Sequence, residues 1–366
     1  MKLNNLDPSQ KKKVCAFVIC LTGVYLLLTI IFGSMLYNSK ISSAESHENR
    51  MDPTVYDAEY PEGDYVEVTV GSYIESIRNV SMADSSFEAV FYIWFVWEGE
   101  EEFSPGDHFQ IVSGAIEEKE LVSEHYDDGQ NYQRYKVTAT LDKYYNLDRF
   151  SLEDHMLNIY IEDTTRDGSA LRFVADTEET TISSRVSIPG FTIYEDIATV
   201  VKPHVYHSTY SSPSAVDGED RVFSQYIMGI SIARENASFY LRVLIPYVLS
   251  VLLALFALFS HRTDADSLGL SGCAFFGVVA NAYVVSSLIP ANGGGFGLLD
   301  MINMISLLSV LIVVAVSLFS LNARHTLEES GEEDNGFLRA IDLGAFISIG
   351  VGFLVFNLVL PFCAML

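Results

Sequence analysis

Asp264-Ala-Asp266-Ser267-Leu268-Gly-Leu-Ser271-Gly272-Cys-Ala-Phe275-Phe-Gly277, continuing through Asn281, Ser286 and Ser287 to Pro290, is the stretch that decides how the chain is read. At about 1.5 Å per residue it is long enough to cross a bilayer core, which needs roughly 20 residues. It is also the least oily of the chain's hydrophobic stretches. Wound at about 100° per residue, it gathers Asp264, Leu268, Ser271, Gly272, Phe275, Val278, Val279, Ala282 and Ser286 on one face. That face starts acidic, turns small and polar, and becomes hydrophobic in the middle. A helix that only dissolves in lipid has no use for this order. Two readings are open: several copies around an axis would line a pore, whereas one copy buried among neighbours would use Gly269, Gly272 and Gly277 for close packing.

Composition sets the frame. Of 366 residues, 49% are hydrophobic and 19% charged, with a mean hydropathy of +0.23. This is too apolar for an ordinary soluble protein and too charged for membrane helices alone, so a polar domain joined to membrane helices is expected. The formal charge is -26, from 48 acidic and 22 basic residues. That makes nucleic acid an unsuitable partner. Cys15, Cys20, Cys273 and Cys363 all fall in hydrophobic stretches, so the polar domain carries no disulfide.

Outward from the opening stretch, Lys11-Lys12-Lys13 precede an uncharged run from Val14 to Tyr37. It reads either as a retained anchor or as a secretory signal cleaved near Ser42-Ser43-Ala44. The retained anchor is favoured because the run is long enough to span. Residues 45 to 60 read as a polar linker. From Tyr65 onward, short β-branched and aromatic runs alternate with turn residues, as in an all-β domain. The expected strands are Tyr65 to Ile77, Phe87 to Trp97, Gln110 to Ile116, Tyr132 to Leu141, Met156 to Glu162, Leu171 to Val174, Phe191 to Val201 and Val222 to Ala233. Further spans are expected over Phe239 to Ser260, the opening stretch, Met301 to Leu321 and Phe337 to Phe362, with Asn322 to Gly336 as a short charged connection. Residues 1–44 thus form an amino-terminal signal anchor or signal peptide, 45–235 an all-β domain and 236–366 a four-span domain. With the amino terminus inside, the β domain and the carboxyl terminus lie outside the membrane, in weak agreement with the positive-inside rule.

This order resembles the pentameric ligand-gated ion channel family, the Cys-loop receptors and their bacterial relatives. Val66 to Trp97 is similar to the family's first two strands and the loop joining them. Leu147-Asp-Arg-Phe150-Ser151-Leu152-Glu153-Asp-His155-Met-Leu157-Asn-Ile159 resembles its aromatic-Pro-Phe-Asp loop and the next strand. Ile232-Ala-Arg234 with Phe239-Tyr240 and Pro246 resembles the last strand, pre-membrane arginine and first helix. Asn281 followed by Pro290 resembles the outer end of the pore helix. The likeness covers about residues 65 to 365. The family loop's proline, aspartate and glutamine are Ser151, Glu153 and His155 here, and the eukaryotic disulfide is absent, so the chain looks like a bacterial-type member.

The resemblance implies an extracellular immunoglobulin-like β-sandwich, a four-helix transmembrane bundle and an extra amino-terminal hydrophobic helix. It further implies a homopentamer, multi-pass in the cell inner membrane among its lipids, with the β domain and carboxyl terminus extracellular or periplasmic. The implied function is a ligand-gated, cation-selective channel opened by a small-molecule or ionic agonist. The alternatives are a non-conducting receptor of the same fold and an anion-selective channel. Carried over residue by residue, the pore and selectivity positions are Asp264, Leu268, Ser271, Gly272, Phe275, Val279 and Ala282. Asn281 would bond to a neighbouring helix. The ligand cage would draw on Tyr92, Phe109 and the region to Val112, Phe173 and the region to Asp176, Tyr206, Tyr210 and Phe223. Gating would be coupled through Asp84, Glu153, Arg234 and Pro290. For any one cage aromatic the competing reading is an ordinary core position. No nucleophile elbow, phosphate loop, dinucleotide fingerprint or zinc spacing among the eight histidines supports an enzyme, a metal centre or a cofactor.

Overall fold

The computed structural model describes residues 6–127, 129–208, 220–235, 238–259, 264–288, 295–330 and 336–366; at 127, 264–268 and 288 it describes the backbone only. Helix α1 (Pro8–Met51) is followed by strands β1 (Val66–Ser81) and β2 (Ser86–Glu98) and the short helix α2 (Pro105–His108). Next come β3 (Phe109–Ile111), β4 (Gly114–Asp127), β5 (Gln130–Asp142), β6 (Asp154–Asp163), β7 (Leu171–Ala175), β8 (Thr181–Ile182), β9 (Phe191–Ile193), β10 (Ala198–Tyr206) and β11 (Arg221–Arg234). Four helices complete the order: α3 (Ser238–Ala257), α4 (Asp264–Leu288), α5 (Leu298–Ser330) and α6 (Phe337–Met365). The chain divides into a helical unit, Met1–Ser42 with Asn146–Glu153 and Asn236–Leu366, and a β unit, Ser43–Tyr145 with Asp154–Glu235.

The β unit is built on two-residue alternation. Along β2, Phe87, Ala89, Phe91, Ile93, Phe95 and Trp97 are each at most 1% exposed, while Tyr92 and Trp94 between them stay half-buried. A pleated strand sends successive side chains to opposite faces, so one parity fills the core and the other meets the surface. Antiparallel neighbours β1 and β5 flank β2 in a sheet ordered β4-β5-β2-β1-β7, with β8 also paired to β1. The second sheet runs β10-β11-β6-β3, with β9 paired to β11. The sheets face each other through Phe95 and Phe109, whose ring centroids are 5.3 Å apart. They also meet where the Ser72 hydroxyl lies 3.2 Å from that of Tyr226.

Four sequence expectations are corrected. The run Gln110 to Ile116 splits into β3 and β4, which belong to different sheets. At the corner, Gly114 has φ 150°, and a Cβ there would strike the Thr140 carbonyl oxygen, so the chain turns where only glycine fits. β4 then runs on through Glu117, Glu118 and Glu120, because charged side chains suit an edge strand. The run Phe191 to Val201 also splits, into β9 and β10, which pair with successive parts of β11. Finally, residues 45–51 are helical rather than a linker, and α5 continues through Asn322–Ser330. Both extensions are rich in good helix formers, and prolonging a helix costs far less than nucleating one.

Among the described residues five helices are long and apolar enough to cross a membrane: α1, α3, α4, α5 and α6. α1 buries Leu21, Tyr25, Thr29, Phe32, Gly33 and Leu36, the i, i+3, i+4 stripe of a helix packed on one side. The Tyr25 hydroxyl lies 2.6 Å from that of Ser309 on α5, and its ring covers Gly352 on α6. Helix α1 is continuous across Ser42-Ser43-Ala44. The α3–α4 contact is close because Gly277 abuts Ser250, and Asn281 Nδ2 donates to the Val243 carbonyl at 3.3 Å, the interhelical bond expected of it. Between α5 and α6, Asp342 is 2% exposed. It accepts hydrogen bonds from Ser320 at 2.6 Å and Arg324 at 2.7 Å, the partners that a buried carboxylate requires.

This packing makes α1 testable as an integral helix. A Cβ at Gly33 would lie 3.3 Å from Cys363 Sγ, within reach of a disulfide. Gly33→Cys should crosslink to Cys363 on oxidation, read as protection from a thiol-reactive mass tag. Gly352→Val, which drives the Tyr25 ring away, should abolish the crosslink. Oxidised Gly33→Cys protein that takes up as many tags as the reduced protein, one for each of its five cysteines, would contradict the docking of α1.

Candidate functional site: an aromatic crevice on the β unit

The outward parity of β2 builds a site. Tyr92 pairs across the sheet with Tyr73 on β1 and Lys136 on β5, and Trp94 pairs with Gly71 and Arg134. Gly71 is essential locally: a Cβ there would run into the Trp94 indole, so the missing side chain lets the indole lie against the strand. Tyr132 extends the wall on β5. Val122 enters at the irregularity between Leu121 and Ser123 of β4. Asp176 and Glu179, from the turn after β7, complete the rim. Together these residues line an open crevice of about 590 Å³, within the range of small-molecule sites.

The polar groups are held in place. Trp94 Nε1 donates to Asp176 Oδ2 at 3.1 Å. Asp176 in turn organises its loop, accepting from the Glu179 amide at 3.2 Å and donating its own amide to Val70 at 2.8 Å. Lys136 Nζ is 2.7 Å from Glu75 Oε2, and that carboxylate holds the ammonium above its ordinary pKa. Lys136 and Arg134 sit 5.3 Å and 6.0 Å from the Tyr92 ring centroid, so the chain's own cations occupy that π face. Arg134 Nε is buried without a hydrogen-bond partner among the described residues. The crevice thus offers aromatic surface, two carboxylates and a guanidinium to a small polar ligand.

The six expected cage residues do not converge in one chain. Tyr92 lines the crevice. Phe109 and Phe173 are each 4% exposed, and both pack on Phe95, at 5.3 Å and 6.2 Å between centroids. They lie on the inward parity of their strands, and their rings belong to the core. Tyr206 and Phe223 are in the other sheet, edge to face at 5.6 Å. There Tyr206 donates to Glu162 Oε2 at 2.8 Å, and Gln225 donates to Oε1 at 2.7 Å. Tyr210 lies outside the described residues. Tyr73, Trp94, Tyr132, Arg134 and Glu179 were not anticipated. The signal for Trp94 was present, since it shares the parity of Tyr92; the others needed strand register.

Burial of Glu162 pushes its carboxyl above the usual range, and the bonds from Tyr206 and Gln225 only partly offset this. The enclosed carboxyl therefore holds its proton to a higher pH than an exposed glutamate does.

Of the residues expected to couple gating, Asp84, Glu153 and Arg234 lie among the described residues. Arg234 stacks on Phe191, 4.6 Å from its centroid, and reaches Met82 Sδ at 3.3 Å, so the first hairpin loop and the pre-membrane arginine are in contact. Asp84 accepts a 2.7 Å bond from Ser81 within its own turn. Glu153 is 1% exposed, in the loop 146–153 that belongs to the helical unit. Within that unit the Asp148 carbonyl accepts the Leu298 amide at 2.7 Å. A Cβ on Gly297 would approach that carbonyl oxygen to 2.9 Å, so this glycine is required for close approach. Arg149 Nη1 donates to the Ala364 carbonyl at 3.3 Å, and Phe150 meets Phe239 edge-on at 5.8 Å. The loop therefore touches the starts of α3 and α5 and the end of α6. Pro290 lies outside the described residues.

On α4, the expected stripe is shifted. Phe275 and Val279 are 36% and 42% exposed, but Phe276 and Tyr283, at 72% and 78%, mark the centre of the open face. Ser271 is only 1% exposed and turns toward the packed side, a correction to its place in the stripe. It shares the inner arc with Ala274, Val278 and Val285, which pack against neighbouring helices. Gly272 and Ala282 lie at the boundary. The side chains of Asp264 and Leu268 lie outside the described residues.

No protein-family model matches the chain, and no curated protein matches it.

Two measurements test this geometry. Trp97 is 1% exposed, so quenching by a soluble quencher should report Trp94, the other of the two tryptophans. Gly71→Val should raise the quenchable fraction by displacing the indole; an unchanged fraction would contradict its seat on Gly71. For Glu162, the raised native pKa means that the folded state binds more protons than the unfolded one. Its stabilisation is complete below the unfolded glutamate pKa, about 4.3, and is lost as pH rises through the native value. Urea unfolding followed by tryptophan emission should show a smaller loss between pH 4 and pH 7 in Glu162→Gln than in the unmodified chain.

Proposed function

We propose that this chain is a subunit of a homopentameric, cation-selective channel of the pentameric ligand-gated type, set in the cell membrane with its β unit outside. The observation that carries the proposal is the loop 146–153. Its two neighbours in sequence are strands β5 and β6, yet it is part of the helical unit, bonded through Asp148 to the start of α5 and through Arg149 to the end of α6. A displacement of those strands would be delivered to helix ends, which gating requires. This loop is also the segment whose sequence resembles the family's signature loop.

Further support comes from uncovered surfaces. Phe276, Val279 and Tyr283 on α4 form one exposed apolar face, and Leu241, Ile245, Leu249, Leu252 and Phe256 form another on α3. In water such faces are a liability; lipid and neighbouring copies would cover them. Five α4 helices around an axis would set five Asp264 carboxylates at one mouth, attracting cations and repelling anions across low-dielectric walls. Rings of Phe275 and Val279 would close the path by excluding water. The crevice at Trp94 and Tyr132 would take an agonist bearing a cationic centre, with Asp176 and Glu179 as its counter-charges.

The test is current recording from reconstituted protein with ion substitution. The reversal potential should follow the cation gradient, and Asp264→Ala should reduce cation preference without abolishing conductance. A reversal that tracks chloride would overturn the cation assignment. Assembled pentamers that stay silent with every ligand would favour a non-conducting receptor.

A further inference from the structure

The amino-terminal helix has no counterpart in the family that the rest of the chain resembles, and neither pore nor crevice explains its lysines. Together with α5 and α6 it forms a side groove of about 410 Å³. The walls are Phe17 of α1, Ile312 and Phe319 of α5, and Phe337 and Ile341 of α6, and the one charged lining residue is Lys13. Lys13 is exposed and makes no hydrogen bond or ion pair among the described residues. It closes the run Lys11-Lys12-Lys13, and Phe337 belongs to the first turn of α6, so the positive end of that helix dipole lies at the same groove.

We propose that this groove holds one anionic glycerophospholipid, an acyl chain between α1, α5 and α6 and its phosphate on Lys13. The inference rests on the membrane reading of these helices and not on channel activity. Three features identify the occupant. All three helices are of spanning length and apolarity, so the groove opens to hydrocarbon rather than water. Its walls are as apolar as lipid tails, so the chain is retained by filling a void and supplies little selectivity. Selection must come from the headgroup, and among the described lining residues the one charge is positive.

The test is native mass spectrometry of the full chain, released from vesicles of equal parts phosphatidylglycerol and phosphatidylcholine. The unmodified protein should retain phosphatidylglycerol over phosphatidylcholine by about fivefold per site, the factor that one interfacial cation supplies. Lys13→Gln should bring the ratio close to one while leaving lipid bound. Ala315→Trp, which fills the groove from α5, should remove that lipid altogether. An unchanged ratio in Lys13→Gln, or full retention in Ala315→Trp, would overturn the assignment. So would an adduct with the mass of a free fatty acid. A change of oligomeric mass in Ala315→Trp with no change in lipid count would give the groove to a second copy instead.

Discussion

The alternation of β2 is the constraint from which most of the β unit follows. A strand flanked by β1 and β5 must place every second residue between the sheets, and here all six inward side chains are almost fully enclosed. By the simple area rule, burying a large apolar side chain contributes roughly 1.5–3 kcal/mol relative to exposure, so a one-residue slip would forfeit most of the core. Fixing that register also fixes Tyr92 and Trp94 on the outer face. The same pleat therefore produces the core and the crevice, and neither can shift without the other.

A different device joins the loop 146–153 to the helices. The Leu298 amide donates to the Asp148 carbonyl, and the Arg149 guanidinium donates to the Ala364 carbonyl. Gly297 lets the Asp148 backbone come close enough for the first of these. The bond satisfies an amide that the start of α5 would otherwise leave without an intrahelical partner. That bond needs no particular side chain at 148, whereas the one to Ala364 needs the Arg149 guanidinium.

Helix α1 adds a third element. Tyr25 on Gly352 and its hydroxyl beside Ser309 dock the helix by shape and one polar contact, the means available where water is absent and apolar attraction between helices vanishes. The dock leaves a groove toward the amino-terminal end of α1, where the lysines begin. A segment legible in sequence only as an anchor or a signal thus has a packed face and an open one.

The sequence by itself located β1, β2, β5, β6, β7 and β11, the apolar part of α1, the four later apolar helices, and the bond of Asn281 to another helix, because each depends on local periodicity. Only the tertiary structure decided which aromatic residues are free. Phe109 and Phe173 read the same as Tyr92 until the facing sheet encloses them on Phe95. Tyr73, Tyr132 and Arg134 join the crevice through strand register, which pairs residues far apart in the chain. The turn of α4, with Ser271 packed and Phe276 exposed, was set by its neighbours, since a helix with apolar residues on most faces has no preferred side of its own. Gly71, Gly114 and Gly297 show the same limit. Sequence shows that a side chain is missing, and only the folded chain shows the indole, carbonyl or loop that needs the space.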